Sequence, residues 1–155
     1  VQTLTREIVV TAETGTHVLL VDDEEQFLAA LADRLQLRGI QAETVTSGED
    51  ALRVVEGQSF DAVVLDLAMP RVDGIETLRL LKEKQPELQI IMLTGHGSVQ
   101  HGIAAMKTGA VDFLEKPIDL KILLDKIGEA RKKRLLIVEK KHREEIKAII
   151  ARKSG

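Results

Sequence analysis

A chain of 155 residues that is 44% apolar and carries a net charge of −3 is sized for one ordinary domain plus an appendage, with no room for a second full domain. No apolar run nears the ~20 residues that span a bilayer, and the N-terminus lacks the basic start and apolar centre of a secretory signal, so a cytoplasmic protein with no membrane partner is expected. The absence of cysteine excludes disulfides, thiolate catalysis and cysteine-bound zinc or iron–sulfur clusters, leaving oxygen and imidazole as metal donors.

The chain starts at Val1 and its first methionine is Met69, so a fragment or processed form of a longer protein is expected. Residues 1–16 are polar and threonine-rich apart from Ile8-Val9-Val10; a flexible arm is expected, with an edge strand on those three residues as the alternative. Residues 17–21 form the first of five expected strands, the others being 41–45, 61–66, 89–94 and 111–114. Helical patterns lie between them. Gln26–Arg38 places Phe27, Ala30-Leu31 and Leu35 at helical spacing and stops at Gly39, a residue suited to the left-handed position past a helix end. Ser47, with Asp50 three residues on, resembles a helix start. Pro70 to Gly74 is turn chemistry ahead of an Ile75–Lys84 helix, which Pro86 ends. A fourth helix runs from about Ser98 to Lys107 and is closed by Gly109. Strands alternating with helices predict an α/β domain over residues 17–130, a parallel sheet wrapped by crossover helices.

From Asp119, a candidate N-cap, apolar residues recur at helical spacing through Leu120, Leu123-Leu124, Ile127, Leu135, Val138, Ile146 and Ile149 with no proline. A continuous helix to Lys153 would be about 52 Å long at 1.5 Å per residue, more than one small domain can cover. Gly128 is a candidate bend. Residues 131–155 carry ten Lys/Arg against three acids and form a basic C-terminal helical extension; residues 1–130 carry twelve against 22, a net −10. Two expectations stand for the extension: a homodimer through residues 119–153, along a roughly heptad-like seam of Leu135, Val138, His142, Ile146 and Ile149, or a linker to an output domain missing from this fragment. A solvated face is the plain reading of its charge, and contact with nucleic acid or an acidic partner the rival. Direct DNA binding by this fragment is not expected, because no helix-turn-helix follows.

The residues that close the strands carry the chemistry. Asp22-Asp23 follow Val18–Val21, Asp66 follows Val63-Val64-Leu65, Thr94 ends the fourth strand, and Lys116-Pro117 follow the fifth. In an open parallel sheet, ligands bind outside the carboxyl ends of the strands where the strand order reverses. If strands one and three are neighbours there, three carboxylates meet and a divalent cation relieves their repulsion; hard oxygen donors favour Mg2+. A carboxylate can attack phosphorus to give an acyl phosphate, and Asp66, at the end of the most hydrophobic strand, is the candidate nucleophile. Lys116 offers an ammonium and Thr94 a hydroxyl, the remaining parts that in-line phosphoryl transfer needs. Singly, each residue has an ordinary reading as a helix cap or surface charge. Their joint placement at successive strand ends is what points to a site.

Four ordered segments then carry a resemblance to the receiver domains of two-component response regulators. They are Val21-Asp22-Asp23-Glu24; Leu65-Asp66-Leu67-Ala68-Met69-Pro70 with Asp73-Gly74; Leu93-Thr94-Gly95-His96-Gly97; and Gly109 through Lys116-Pro117. The likeness covers residues 17 to about 130, and Thr94–Ser98 with Ala104–Lys107 is similar to receivers of nitrogen-regulation-type transcription regulators. The resemblance implies a flavodoxin-like doubly wound five-stranded sheet of order 2-1-3-4-5 with five helices, the last extended. It implies that Asp66 accepts a phosphoryl group from a sensor histidine kinase, and that Asp23, Asp66 and the Ala68 backbone carbonyl bind Mg2+, with Asp22 helping through water. Lys116 would pair with the phosphoryl oxygens, Thr94 would hydrogen-bond to them on activation, and the bond before Pro117 would be cis. Phe113 matches the family's switch aromatic, coupled to Thr94, although plain core packing is an equal reading. The surface of helix four, strand five and helix five would then change to control an output domain or partner. The implied chemistry is self-catalysed phosphoryl acceptance and loss, not the turnover of an enzyme.

His96, two residues after Thr94, could lie over the site, His96, His101 and His142 are too scattered for a metal cluster, and His17 is read as just preceding strand one. Two rival functions remain: a receiver-like module that signals by contacts without phosphate, and a small hydrolase using Asp66. The hydrolase needs an acid/base carboxylate where Ala68 stands. The Ala68 methyl cannot orient an attacking water, so slow to moderate loss of the phosphoryl group is expected, and Ala68→Asn should shorten its lifetime. A half-life of seconds in the Ala68 chain, unchanged by the substitution, would count against that role.

Overall fold

The structure, a computed structural model, describes residues 15–68, 74–95 and 97–154. Its strands are β1 (His17–Val21), β2 (Gln41–Val45), β3 (Ala62–Asp66), β4 (Ile90–Thr94) and β5 (Asp112–Glu115). All four pairings are parallel and the order is β2-β1-β3-β4-β5. The helices are α1 (Glu25–Gln36), α2 (Gly48–Gly57), α3 (Gly74–Lys84), α4 (Val99–Thr108) and α5 (Leu120–Ser154). This is the expected flavodoxin-like doubly wound sheet, and each strand boundary lies within one residue of its expected place.

The central strands are apolar on both faces because helices cover both. Leu19, Val21, Val63, Leu65, Ile90 and Met92 share one core with Val55 of α2, Leu78 and Leu81 of α3 and Ala105 of α4. Val18, Leu20, Ala62, Val64, Ile91 and Leu93 share the other with Leu28, Leu31 and Leu35 of α1 and Leu123, Ile127 and Ala130 of α5. Edge strands β2 and β5 carry Glu43, Asp112 and Glu115, charges that discourage pairing with a further strand.

Helix ends follow local chemistry. Regular α1 closes at Gln36 rather than Arg38, because a capping turn takes over: the Ile40 N–H donates to the Leu35 carbonyl (3.1 Å) and the Gly39 N–H to Gln36 (3.0 Å), with Gly39 at φ +81°. Gly109, at φ +122°, closes α4 in the same way, with the Ala110 N–H on the Ala105 carbonyl at 3.0 Å. The Ser47 side chain accepts the Asp50 N–H at 3.1 Å and starts α2. Asp119 Oδ1 accepts the N–H groups of Lys121 (3.0 Å) and Ile122 (3.3 Å), and α5 then runs 35 residues, through Gly128 without interruption. The expected arm, apart from Gly15 and Thr16, and the turn at 70–73 lie outside the described residues.

The departing part of α5 is tied to the amino ends of the strands. Arg134 Nη1 donates to Asp61 Oδ1 at 3.2 Å, Asp61 Oδ2 accepts the His17 N–H at 2.8 Å, and Arg131 Nη1 donates to Thr16 Oγ1 at 2.8 Å. His17 therefore opens β1 instead of preceding it, and its ring lies 4.4 Å from that of Phe60. Beyond this latch no α5 side chain is buried, and Leu136, Ile146 and Ile150 are more than half exposed. Arg134→Ala strips Asp61, which is 6% exposed, of its cationic partner. A loss of about 1–3 kcal/mol in urea unfolding is expected, against less than about 0.5 kcal/mol for Ala at the exposed neighbour Lys133.

Candidate functional site

The register brings the acids together. Val21 pairs with Leu65 across β1 and β3, so Asp22 and Asp66 leave the sheet side by side, and Asp66 in turn pairs with Leu93 of β4. Asp22, Asp23 and Asp66 each offer a carboxylate oxygen, and these oxygens lie within 4.8 Å of one another. Asp22 and Asp66 are buried while Asp23 is exposed. The two buried acids each accept a backbone N–H two residues on: Glu24 donates to Asp22 Oδ1 at 3.0 Å and Ala68 to Asp66 Oδ1 at 3.3 Å. Such turns are what aspartate favours at a strand end, and they fix the carboxylates before any ligand arrives.

Lys116 reaches into this cluster from beyond β5. Its Nζ donates to Asp22 Oδ2 at 2.8 Å and lies 3.7 Å from Asp66 Oδ2 and 3.8 Å from Glu24 Oε1. It also sits 4.4 Å from the centroid of the Phe27 ring. The Lys116–Pro117 peptide is cis, as the resemblance implies. Thr94 ends β4 fully buried; its hydroxyl donates to the Leu114 carbonyl at 3.4 Å, while its own carbonyl accepts the Lys116 N–H at 2.8 Å. Phe113 is half-buried at the edge of the core, against α4, where a Cβ on Gly102 would lie 2.6 Å from its ring carbons. The structure thus gathers Asp22, Asp23, Asp66 and Lys116 into one cluster, ties Thr94 to it through the backbone, and sets Phe113 apart. His96 lies outside the described residues. Sequence reasoning saw Glu24 only as part of a motif and Phe27 only as a core position. Their signal was the first turn of α1, which starts directly after the acids and so returns over them.

Burial and the negative charge of Asp22 push the Asp66 carboxyl above the usual carboxylate range, against the pull of Lys116 and the Ala68 N–H. Burial opposes the charge on Lys116, yet its hydrogen bond to Asp22 and the charges of Asp66, Asp22 and Glu24 outweigh that and raise its pKa. Among the described residues, three carboxylates around one ammonium leave the cluster with an excess of negative charge. That excess, with hard oxygens only, fits a divalent cation of the Mg2+ type. Because the folded-state pKa of Asp66 is raised, its contribution to stability is full at low pH and is lost as pH rises through the raised value. Asp66→Asn, uncharged throughout, should therefore raise the thermal midpoint of the metal-free protein by a few degrees at pH 7 and by less at pH 4, followed by circular dichroism. Millimolar Mg2+ should narrow the difference at pH 7; a lower midpoint for the variant there would contradict this account.

Comparison with known proteins agrees with this arrangement. Residues 18–128 match the response regulator receiver domain. The chain is 40% identical over 130 residues to the C4-dicarboxylate transport transcriptional regulatory protein DctD of Pseudomonas aeruginosa, covering 82% of this chain and 28% of that protein. It is 35% identical over 130 residues to the transcriptional regulatory protein GlrR of Escherichia coli, covering 84% and 29%. A response regulator receiver domain protein from Clostridium thermocellum superposes with a TM-score of 0.75 at 33% identity, covering 79% of this chain and 98% of that one. NtrX from Brucella abortus gives 0.76 at 30% identity, covering 81% and 29%. The chain spans less than a third of the length of these two transcriptional regulators. With the strand order, the acid cluster and the match over most of its length in agreement, this chain belongs to the response-regulator receiver domain family.

Proposed function

We propose that this chain is a cytoplasmic, phosphorylation-dependent signalling domain in which Asp66 accepts a phosphoryl group from the phosphohistidine of a sensor histidine kinase. The observation that carries the reading is the pairing of a buried, hydrogen-bonded carboxylate with an ammonium 3.7 Å away, inside a cluster of hard oxygen donors. An Asp66 oxygen attacks phosphorus in line, a P–O bond forms as the P–N bond breaks, and the electron pair leaves on the imidazole nitrogen. Asp22, Asp23, Asp66 and the Ala68 carbonyl would hold Mg2+, which supplies neutralisation of phosphoryl charge. Lys116 exchanges Asp22 for a phosphoryl oxygen, a short move for a flexible side chain. Loss of the group to water completes the self-catalysed cycle, with no external metabolite turned over.

The switch follows from what Thr94 gives up. Its bond to the Leu114 carbonyl is long, at 3.4 Å, so little opposes rotation of the hydroxyl towards a phosphoryl oxygen. Phe113 then moves into the space released, and the surface of α4, β5 and α5, where Val99, Ile103 and Met106 are exposed, passes the change to an output domain or partner. The longer relatives and the unburied end of α5 support a linker to such a domain, and pairing of two chains through residues 119–153 is part of the same reading. Incubation with acetyl phosphate and Mg2+ should add one phosphate-sized increment to the intact mass of the parent chain and none to Asp66→Asn. An increment in both, or in neither, overturns the assignment. Light scattering on the same samples reports pairing and its dependence on phosphate.

A further inference from the structure

Among the partners of Lys116 is an aromatic ring that the phosphoryl-transfer reading does not use. We propose that Phe27 is a positioning residue, the face of its ring holding the Lys116 ammonium at the mouth of the acid cluster so that an incoming phosphoryl group meets a cation already in place. This rests on the reading of Asp66 as phosphoacceptor.

A lysine ammonium is a compact charge on a flexible four-carbon stem and must be confined to act as a fixed electrostatic partner. Its carboxylate partners, Asp22 at 2.8 Å, Asp66 at 3.7 Å and Glu24 at 3.8 Å, are compromised in that task. Asp22 and Asp66 belong to the oxygen cluster that suits a divalent cation, and Asp66 is also the acid that changes chemically. As those carboxylates are neutralised, their hold on the ammonium weakens at the stage when it is needed. Glu24 is 67% exposed at its side chain and therefore screened by water. The Phe27 ring differs from all three. It carries no formal charge, donates to no metal, and its centroid lies 4.4 Å from Nζ, well inside the range of a cation–π contact. It is also held firmly, in the first turn of α1 and packed against the core shared by α1 and α5.

An aliphatic residue at position 27 would fill the same space without the quadrupole, which gives a clean comparison. Beryllium fluoride, a stable phosphoryl mimic, is titrated at saturating Mg2+ into the parent chain, Phe27→Leu and Phe27→Tyr. Phe27→Leu should bind the mimic about 3- to 10-fold more weakly, Phe27→Tyr should bind within about twofold of the parent because it keeps the ring face, and the affinity for Mg2+ alone should be unchanged in all three. In the metal-free protein the Lys116 ε-methylene protons should be shifted upfield by the ring in the parent and in Phe27→Tyr, and not in Phe27→Leu. Equal affinity in Phe27→Leu and parent overturns the proposal. So does an equal loss in both variants, which would make the residue a packing element only. Absence of the upfield shift overturns it from the parent chain alone, whatever the variants do. A parent chain that fails to bind the mimic while showing that shift would instead sink the phosphoacceptor reading on which the proposal depends.

Discussion

An excess of negative charge at the carboxyl edge of the sheet is the constraint on which the site depends. Three carboxylates with oxygens inside 4.8 Å repel one another, and among the described residues the Lys116 ammonium compensates only part of that. The fold tolerates the arrangement because the acids sit where backbone N–H groups leave the strands: Glu24 and Ala68 each donate to a buried carboxylate, and Lys116 is fastened by its own N–H to the Thr94 carbonyl. Two large apolar cores, one on each face, hold β1, β3 and β4 in the register that forces the acids together. In the proposed function, that residual repulsion is what a bound cation and a phosphoryl group would act on, each by its differential interaction with two states of the pocket.

Strand β3 joins two charged stations. Its carboxyl end is Asp66, and the residue just before its amino end, Asp61, takes the Arg134 guanidinium of α5. Because all five residues of β3 are buried, the strand is a stiff element between them. Helix α5 is fixed to the same body along its first three turns by Leu123, Ile127 and Ala130, and by Lys126, whose ammonium meets Asp112 of β5 at 2.5 Å. The direction in which the exposed remainder of α5 leaves the domain is thus set by apolar packing along one face of the sheet and by polar groups at the amino ends of its strands.

The strand boundaries were legible because apolar runs closed by charged residues are a strong local signal, and parallel strands covered on both faces need just such runs, whereas the sheet order came from the resemblance to receiver domains. The acid cluster was legible for the same reason: Asp22, Asp23, Asp66 and Lys116 all stand at strand ends, and strand ends on one edge converge. Contacts made across elements left no such trace. Phe27 reads as one more apolar residue of an amphipathic helix, and only the turn of α1 over the site brings its ring to Lys116. Arg131 and Arg134 read as part of a basic run, although the fold uses each against a polar group more than 70 residues away in the chain. The α1 boundary moved because a capping turn begins before Gly39, and hydrophobic spacing does not register where a helix gives way to its cap.

Gly102 shows how a local disadvantage can serve the proposed switch. A glycine inside a helix costs about 1 kcal/mol relative to alanine, and α4 carries one at the fourth of its ten residues. The contact geometry gives the reason, since a Cβ there would come within 2.6 Å of the Phe113 ring. Helix α4 is weak in other respects as well: it buries only Gly102 and Ala105 and leaves Val99, Ile103 and Met106 about half exposed. Elements with little buried apolar surface open at the lowest free energy. The helix that faces Phe113 thus buries little partly because it makes room for the ring, which places a lightly anchored element beside the side chain proposed to drive the change.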